Sequence, residues 1–360
     1  MASFDRRRTR AVNVGGVGIG ADNPISIQSM TNTDTHDIDA TYDQVMRLSE
    51  AGCDIVRITA PDLASVKTFE ALISRGVKTP LVADIHFNHE IAIAVAEAGV
   101  SKIRINPGNI GDDDKVGRVV EACKRASVPI RIGVNSGSLE KHILAKHGSP
   151  TPEALVESAL YHASLLERFD FSDIVISVKA SNVPDMIKAN RMLADRTEYP
   201  LHLGVTEAGG GSSAIVKSSI GIGALLSEGI GDTVRVSLTD DPVEEVGAAR
   251  EILRAVGLAR DPGLDIVACP TCGRTKINLI GLLSEFKRRV KLEGLDKLNL
   301  KVALMGCVVN GPGEAREADL GIAGGNGEGL LFRRGVIIRK VDEDKLIDAL
   351  IEEMKNENKI

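Results

Sequence analysis

The chain has 360 residues, 43% hydrophobic and 26% charged, with 36 glycines, no tryptophan and a formal net charge of -6. That length suits a large domain plus a smaller one, and the acidic balance argues against a nucleic-acid partner, whose binders carry a basic excess. No run approaches the roughly 20 apolar residues that cross a bilayer and no apolar signal core follows the N-terminus, so the expectation is a cytoplasmic protein with no membrane partner.

The basic run Arg6-Arg7-Arg8 lacks the Ser-rich amphipathic extension of a transit peptide and reads as a solvated arm. Next, TRAVNVGGVGIGADNPISIQ places two short extended runs around glycines, which predicts a hairpin plugging a barrel floor. Its GGVGIG lacks the preceding strand and following helix that a phosphate loop needs.

From residue 25 to about 240 one theme repeats: a short β-branched run, a loop marked by glycine or proline, then an apolar-periodic helix. The predicted strands are 25–30, 55–59, 81–86, 102–106, 130–135, 173–180, 201–207 and 232–238. Thr151-Pro152 and Asp241-Pro242-Val243-Glu244 are helix starts, while Gly52, Gly76, Gly99 and Gly257 stand where left-handed C-caps need a residue without Cβ. Eight strands alternating with helices fit a closed (β/α)8 TIM-type barrel within an α/β chain better than an open sheet.

After Leu258-Ala259-Arg260-Asp261-Pro262-Gly263, a predicted linker, the pattern changes. Strand 264–268, a cysteine loop, a helix over about 275–291, strand 299–305, a second cysteine loop, two or three short strands and a helix over 341–356 make a small α+β domain with a mixed sheet. The expected domains are 1–260 and 264–360.

Buried parallel strands should read as near-continuous Val, Ile and Leu, yet five of these carry a cation: Arg57, Arg104, Arg131, Lys179 and Arg235. Burying unpaired cations is costly, and the same strands offer few acids, chiefly Asp84 and Glu207. A polyanionic ligand at the barrel mouth resolves the conflict; the competing reading turns each cation outward into a helix–strand ion pair. The loop Glu207-Ala208-Gly209-Gly210-Gly211-Ser212-Ser213 runs into a helix at the position where barrels bind phosphate, so the ligand is expected to be phosphorylated. Asp84 and Glu207 end strands at the presumed active face; Glu207 is expected to be ionised and to exchange a proton during turnover, and Asp84 is either catalytic or a partner of a neighbouring arginine. The spacings His86-x2-His89 and His142-x4-His147 lack a third ligand for zinc.

Cys269-Pro270-Thr271-Cys272 puts two sulfurs on one tight loop, beside a helix expected near Thr275 that favours thiolates, and Cys307 arrives from another loop. Three thiolates with no nearby histidine fall short of a closed zinc set, so a fourth ligand is needed, and Glu314 can return through the turn Asn310-Gly311-Pro312-Gly313. A carboxylate beside three soft ligands is exchangeable and would let a substrate oxygen bind. Cys53 and Cys123 read as small core residues.

CPTCGR, MGCVVNGPGEA, IRINPGN, VKAS and LHLGVTEAGGG together resemble the 4-hydroxy-3-methylbut-2-enyl diphosphate synthase (GcpE) family of the non-mevalonate isoprenoid pathway, over nearly the whole chain. The resemblance implies an iron–sulfur oxidoreductase, dependent on flavodoxin or ferredoxin, that reductively opens and dehydrates 2-C-methyl-erythritol 2,4-cyclodiphosphate. It implies a 4Fe-4S cluster on Cys269, Cys272, Cys307 and Glu314, and a homodimer in which the cluster domain of one subunit closes over the barrel of the other. It also implies substrate contacts at Arg57, Arg104, Arg131, Asn135, Lys179, His202, Arg235, Ser237 and Asn310, with Glu207, Asp84 and Glu314 in catalytic roles. The compact bacterial form is expected, because the insert of plant-type members is missing. Two competing readings are a pteroate-synthase-type barrel enzyme with a zinc appendage and a non-catalytic iron–sulfur redox sensor.

Overall fold

The computed structural model describes residues 5–261, 263–307 and 316–357, with Ser138 described by its backbone alone. The chain divides into two compact units, Met1–Ala259 and Arg260–Ile360.

The first unit opens with an antiparallel hairpin of β1 (Val12–Val14) and β2 (Val17–Ile19). Its Val12, Val14 and Ile19 pack with Ile55, Val82 and Val175 at the N-terminal ends of barrel strands, forming the expected floor plug. The barrel strands are β3 (Ser26–Met30), β4 (Ile55–Thr59), β5 (Leu81–Asp84), β6 (Lys102–Ile105), β7 (Ile130–Asn135), β8 (Ile174–Lys179), β9 (His202–Leu203) and β10 (Thr233–Val234). They pair in the order β8-β7-β6-β5-β4-β3-β10-β9, all parallel, and a bridge from Ile176 to Leu201 joins β8 to the start of β9 and closes the ring. Alternation sends Val56, Ile58, Ile103, Ile105, Ile130 and Ile132 outward into the apolar layer under the helices, and turns Arg57, Arg104 and Arg131 inward.

Local signals act as their chemistry requires. Thr151 accepts a hydrogen bond from the Ala154 N–H at the head of the helix Pro152–Glu167, and Gly52, Gly76, Gly99 and Gly257 all have positive φ just past helix ends. Cys53 and Cys123 lie in the core, and burial pushes both thiols up to about 12. Two expectations fail. The segments 201–207 and 232–238 keep only two ladder residues each, because beyond Leu203 the chain runs hard against its neighbours: a Cβ on Gly204 would sit 2.7 Å from the Arg235 carbonyl oxygen and 3.1 Å from Lys179 Nζ. The basic arm is pinned rather than solvated. Arg6 donates to the Asn23 carbonyl (2.6 Å) and to Asp232 (3.2 Å), and Arg7 to the Tyr199 carbonyl (2.7 Å), because turns below the barrel expose acceptors that need donors.

The second unit is a five-stranded mixed sheet in the order β11 (Asp265–Ala268), β12 (Lys301–Met305), β13 (Leu320–Gly324), β14 (Glu328–Arg333) and β15 (Val336–Asp342). The first three strands are parallel and the last two antiparallel additions. Helices Leu279–Leu292 and Leu346–Glu357 bury Phe286, Val290, Leu350 and Met354 against Val302, Leu304, Leu320 and Ile322. Both helices begin later than predicted: Asn278 caps the first by accepting from Gly281 N–H (3.1 Å), and the start of the second is displaced by β15, which runs on to Asp342.

Asp232 fastens the barrel floor, accepting from Leu201 N–H (2.8 Å), Thr9 Oγ1 (3.0 Å) and Arg6. Asp232→Ala is expected to destabilise the first unit by about 2–4 kcal/mol, since it orphans a buried amide and a cation, read as a lower urea midpoint with an unchanged slope.

Candidate active site

The inward positions of β4 to β10 meet in a cavity of about 180 Å³ lined by Arg57, Asp84, Arg104, Arg131, Asn135, Lys179, Arg235 and Ser237, together with His86, Gly133, Ser177 and Thr206. All five strand cations therefore line the cavity, and of the five Arg235 alone makes a helix–strand ion pair. Strand register brings the charges together: Asp84 is level with Arg104, Arg104 with Arg131, and Asn135 with Lys179. Gly133 makes this crowding possible, because a Cβ there would lie 2.3 Å from Arg104 Nε.

Asp84 serves two cations at once. Arg104 Nη1 donates to its Oδ1 at 3.1 Å, and Arg57 Nε stands 3.7 Å from Oδ2. Burial alone would raise the Asp84 pKa, but Arg57, Arg104 and Arg131 outweigh it and hold the carboxyl well below the ordinary carboxylate range. Arg57 also points Nε and Nη2 at Met30 Sδ (3.1 and 2.9 Å), and burial pushes it down to about 10. Arg131 is 1% exposed and its Nε and Nη1 have no hydrogen-bond partner. Burial, then Arg57 and Arg104, disfavour its charge, yet a guanidinium keeps its proton in a protein, so the cost stands as an uncompensated positive field. Burial likewise pushes Lys179 well below its ordinary value, with Arg57, Arg235 and Arg131 adding to the effect.

Several residues of this site were not foreseen from the sequence. Glu245, 3% exposed on the helix Pro242–Ala255, takes Arg235 in a bidentate pair at 3.0 Å to each oxygen and also accepts from Ser29 Oγ at 2.7 Å. Among the strand cations Arg235 is thus fully paired, by an acid outside the strands; the only sequence signal was a second glutamate after the helix start. Lys102, the sixth strand cation, is wholly buried beneath the cavity. His202, by contrast, was expected to contact substrate but does not line the cavity; it is 0% exposed, with neither ring nitrogen hydrogen-bonded. His162 ties two loops at the mouth, its Nδ1 accepting from Gly108 N–H (3.1 Å) while Nε2 lies 2.5 Å from Glu140.

Glu207 is exposed past β9 with φ of 53°, a left-handed backbone that costs a non-glycine residue about 1 kcal/mol or more. Just beyond it, Gly210 heads the helix Gly211–Ser227 with no side-chain cap, leaving the first amides open to an anion.

In the second unit, Cys269 follows β11 and Cys307 follows β12, and these adjacent parallel strands send both cysteine loops off the same edge of the sheet. All three thiols are free. Cys269 Sγ accepts from Gly306 N–H at 3.2 Å, and the Arg274 N–H, then its guanidinium, lower the Cys272 thiol. The helix begins too late to act on these thiols; a turn shapes the loop instead, the Cys272 backbone N–H donating to Thr275 Oγ1 at 3.1 Å, and the Thr275 hydroxyl adds a lesser lowering of the Cys272 thiol. Soft, partly activated sulfurs with N–H donors suit an iron–sulfur group. Glu314 and Asn310 lie outside the described residues, and among the described residues no three His, Cys, Asp or Glu side chains already form a metal cage.

The chain matches the GcpE TIM-barrel domain over residues 9–250 and the GcpE protein C-terminal domain over residues 265–356. It belongs to the GcpE family. A relative from Clostridium perfringens is 56% identical over 97% of this chain and 98% of its own, and one from Geobacter sulfurreducens is 55% identical over 97% and 98%. Both are named 4-hydroxy-3-methylbut-2-en-1-yl diphosphate synthase (flavodoxin). The dihydropteroate synthase of Stenotrophomonas maltophilia shares the fold alone, at 15% identity and a TM-score of 0.50 over 69% of this chain and 98% of that one. GcpE membership across both parts of the chain leaves the pteroate-synthase and redox-sensor readings without support. Among the described residues no helix is long and apolar enough to cross a membrane.

The Asp84 geometry sets a pH dependence. Its folded pKa is lowered, so its stabilisation is complete above the unfolded value near 4 and is lost as pH falls toward the folded value. Asp84→Asn should melt well below the parent at pH 7, and the gap should close as the pH drops below about 4; thermal scans of both proteins across that range measure it.

Proposed function

We infer that this chain reductively opens 2-C-methyl-erythritol 2,4-cyclodiphosphate and eliminates water to give 4-hydroxy-3-methylbut-2-enyl diphosphate. The observation that carries this reading is the cation-lined cavity at the barrel mouth in a GcpE-family chain. With one buried carboxylate for Arg57 and Arg104 and none bonded to Arg131, the cavity has a net positive charge that a diphosphate offsets.

In this reading Arg57, Arg104, Arg131 and Lys179 hold the diphosphate oxygens, with Asn135, Ser237 and Asn310 as polar contacts and the open amides after Gly210 as a further anion seat. Arg235, already paired with Glu245, presents a rigid edge rather than a free charge. Asp84 acts as a positioning residue that keeps two guanidinium groups aimed inward. His202 supports the cavity from beneath. Glu207, on the rim and held in a strained backbone, donates the proton that lets the hydroxyl leave as water.

Cys269, Cys272, Cys307 and Glu314 hold a 4Fe-4S cluster, which when bound supplies electrons singly to a reaction that consumes two. The donor set supports it: three free thiols on two loops from one sheet edge. The relatives' names support flavodoxin as the electron donor, and the homodimer and cytoplasmic setting implied by the sequence resemblance complete the reading.

An anaerobic assay with the cyclodiphosphate and reduced flavodoxin tests the activity. Glu207→Gln should lower kcat by about 10²–10⁴ with little change in KM, the usual span for removing a general acid; full turnover would discard the assignment. Cys307→Ser, purified anaerobically, should lose the broad brown absorbance and its iron, and an unchanged spectrum and iron content would sink the ligand set.

A further inference from the structure

Lys102 opens β6, is 0% exposed, and has no hydrogen-bond partner for Nζ. Its neighbour across the strand pair is Val82, which belongs to the apolar floor with Val175 and the hairpin. Lys102 does not line the cavity, so the amine occupies a tier between a dry floor and the cationic chamber above. The charged and titratable groups that face it are Arg57 from β4, Arg131 from β7 and His202 from β9. The nearby carboxylate, Asp84, is engaged by Arg104 and Arg57. From β3, Gln28 shares the inward side with Met30, and neither atom of its amide has a partner.

An ammonium there has no carboxylate of its own and Nζ makes no hydrogen bond, while its two guanidinium neighbours cannot give up their charges. Only Lys102 and His202 can shed charge there, and burial drives both well below their ordinary values. A diphosphate against Arg57 and Arg131 reverses the field at the same point, because it neutralises the groups that repel a charge on Lys102.

We propose that Lys102 rests as a neutral amine and takes up a proton from solvent when a diphosphate fills the cavity above it, linking ligand affinity to pH through a residue the ligand does not touch. The step balances as amine plus solvent proton giving ammonium, with the ligand's negative charge as counterion. This inference rests on the barrel being the cyclodiphosphate site. Affinity then falls as pH rises from the free-enzyme pKa of Lys102 to its ligand-bound pKa, and levels off above that, where proton uptake no longer accompanies binding.

Calorimetric titration of the anaerobic, cluster-loaded enzyme with the cyclodiphosphate, without an electron donor, in buffers of different ionisation enthalpy tests this. The observed heat should vary with buffer enthalpy with a slope of about one proton taken up, and Lys102→Met should lose that slope. If that variant does not fold, Lys102→Gln is titrated in the same way. A flat wild-type response would overturn the proposal, as would a slope that survives replacement of Lys102, which would assign the proton to His202 or Lys179. Absence of binding in every buffer would remove the cyclodiphosphate reading itself and this inference with it, whereas binding without a slope removes the inference alone.

Discussion

The structure turns on an imbalance: six cations point into one barrel, and the acids that answer them are Asp84, shared between Arg57 and Arg104, and Glu245, whose charge pairs with Arg235. Such a core is worse for stability than an apolar one of the same shape. It is tolerated because the rest of the barrel is conventional. Outward residues pack in a continuous aliphatic layer, the floor is plugged by valine and isoleucine, and the register of β4, β5 and β6 fixes Asp84 between Arg57 and Arg104. Electrostatic preorganisation has this form: the field is built into the fold before the ligand arrives, so little reorganisation is needed when it does.

Much of this was legible in the sequence, for a specific reason. Charges in strands that should be aliphatic are conspicuous, and Arg57, Arg104, Arg131, Lys179 and Arg235 all line the cavity. The turn residues were equally readable, since the positive φ values at Gly52, Gly76, Gly99 and Gly257 leave little choice of side chain. What escaped was context that alternation cannot carry. Lys102 heads its strand, where a lysine ordinarily reaches solvent, and only the hairpin beneath shows that its way out is closed. Glu245 sits in a helix start rich in acids, where capping is sufficient explanation, and only the fold points it at Arg235.

Strand ends and helix starts were the weakest readings. The alternation of 201–207 and 232–238 continues past the last ladder residue, because inward positions there serve the cavity, while the backbone keeps only scattered bonds such as Arg235 N–H to the Leu203 carbonyl and is crowded at Gly204 by Lys179 and Arg235. In the second unit β15 runs on to Asp342 and a 3-10 turn takes Glu343–Lys345 before the last helix begins at Leu346. The delay of the helix at Leu279 replaces a dipole argument for the cysteine loop with one based on a tight turn and Arg274.

The floor plug carries a kinetic implication. A barrel stoppered at one end by Val12, Val14 and Ile19 is a blind vessel with a single opening. In the proposed reaction, reactant and product share that doorway, so one vacates it before the other enters. Turnover is then strictly alternating, and product accumulating outside competes for the same threshold that the reactant must cross.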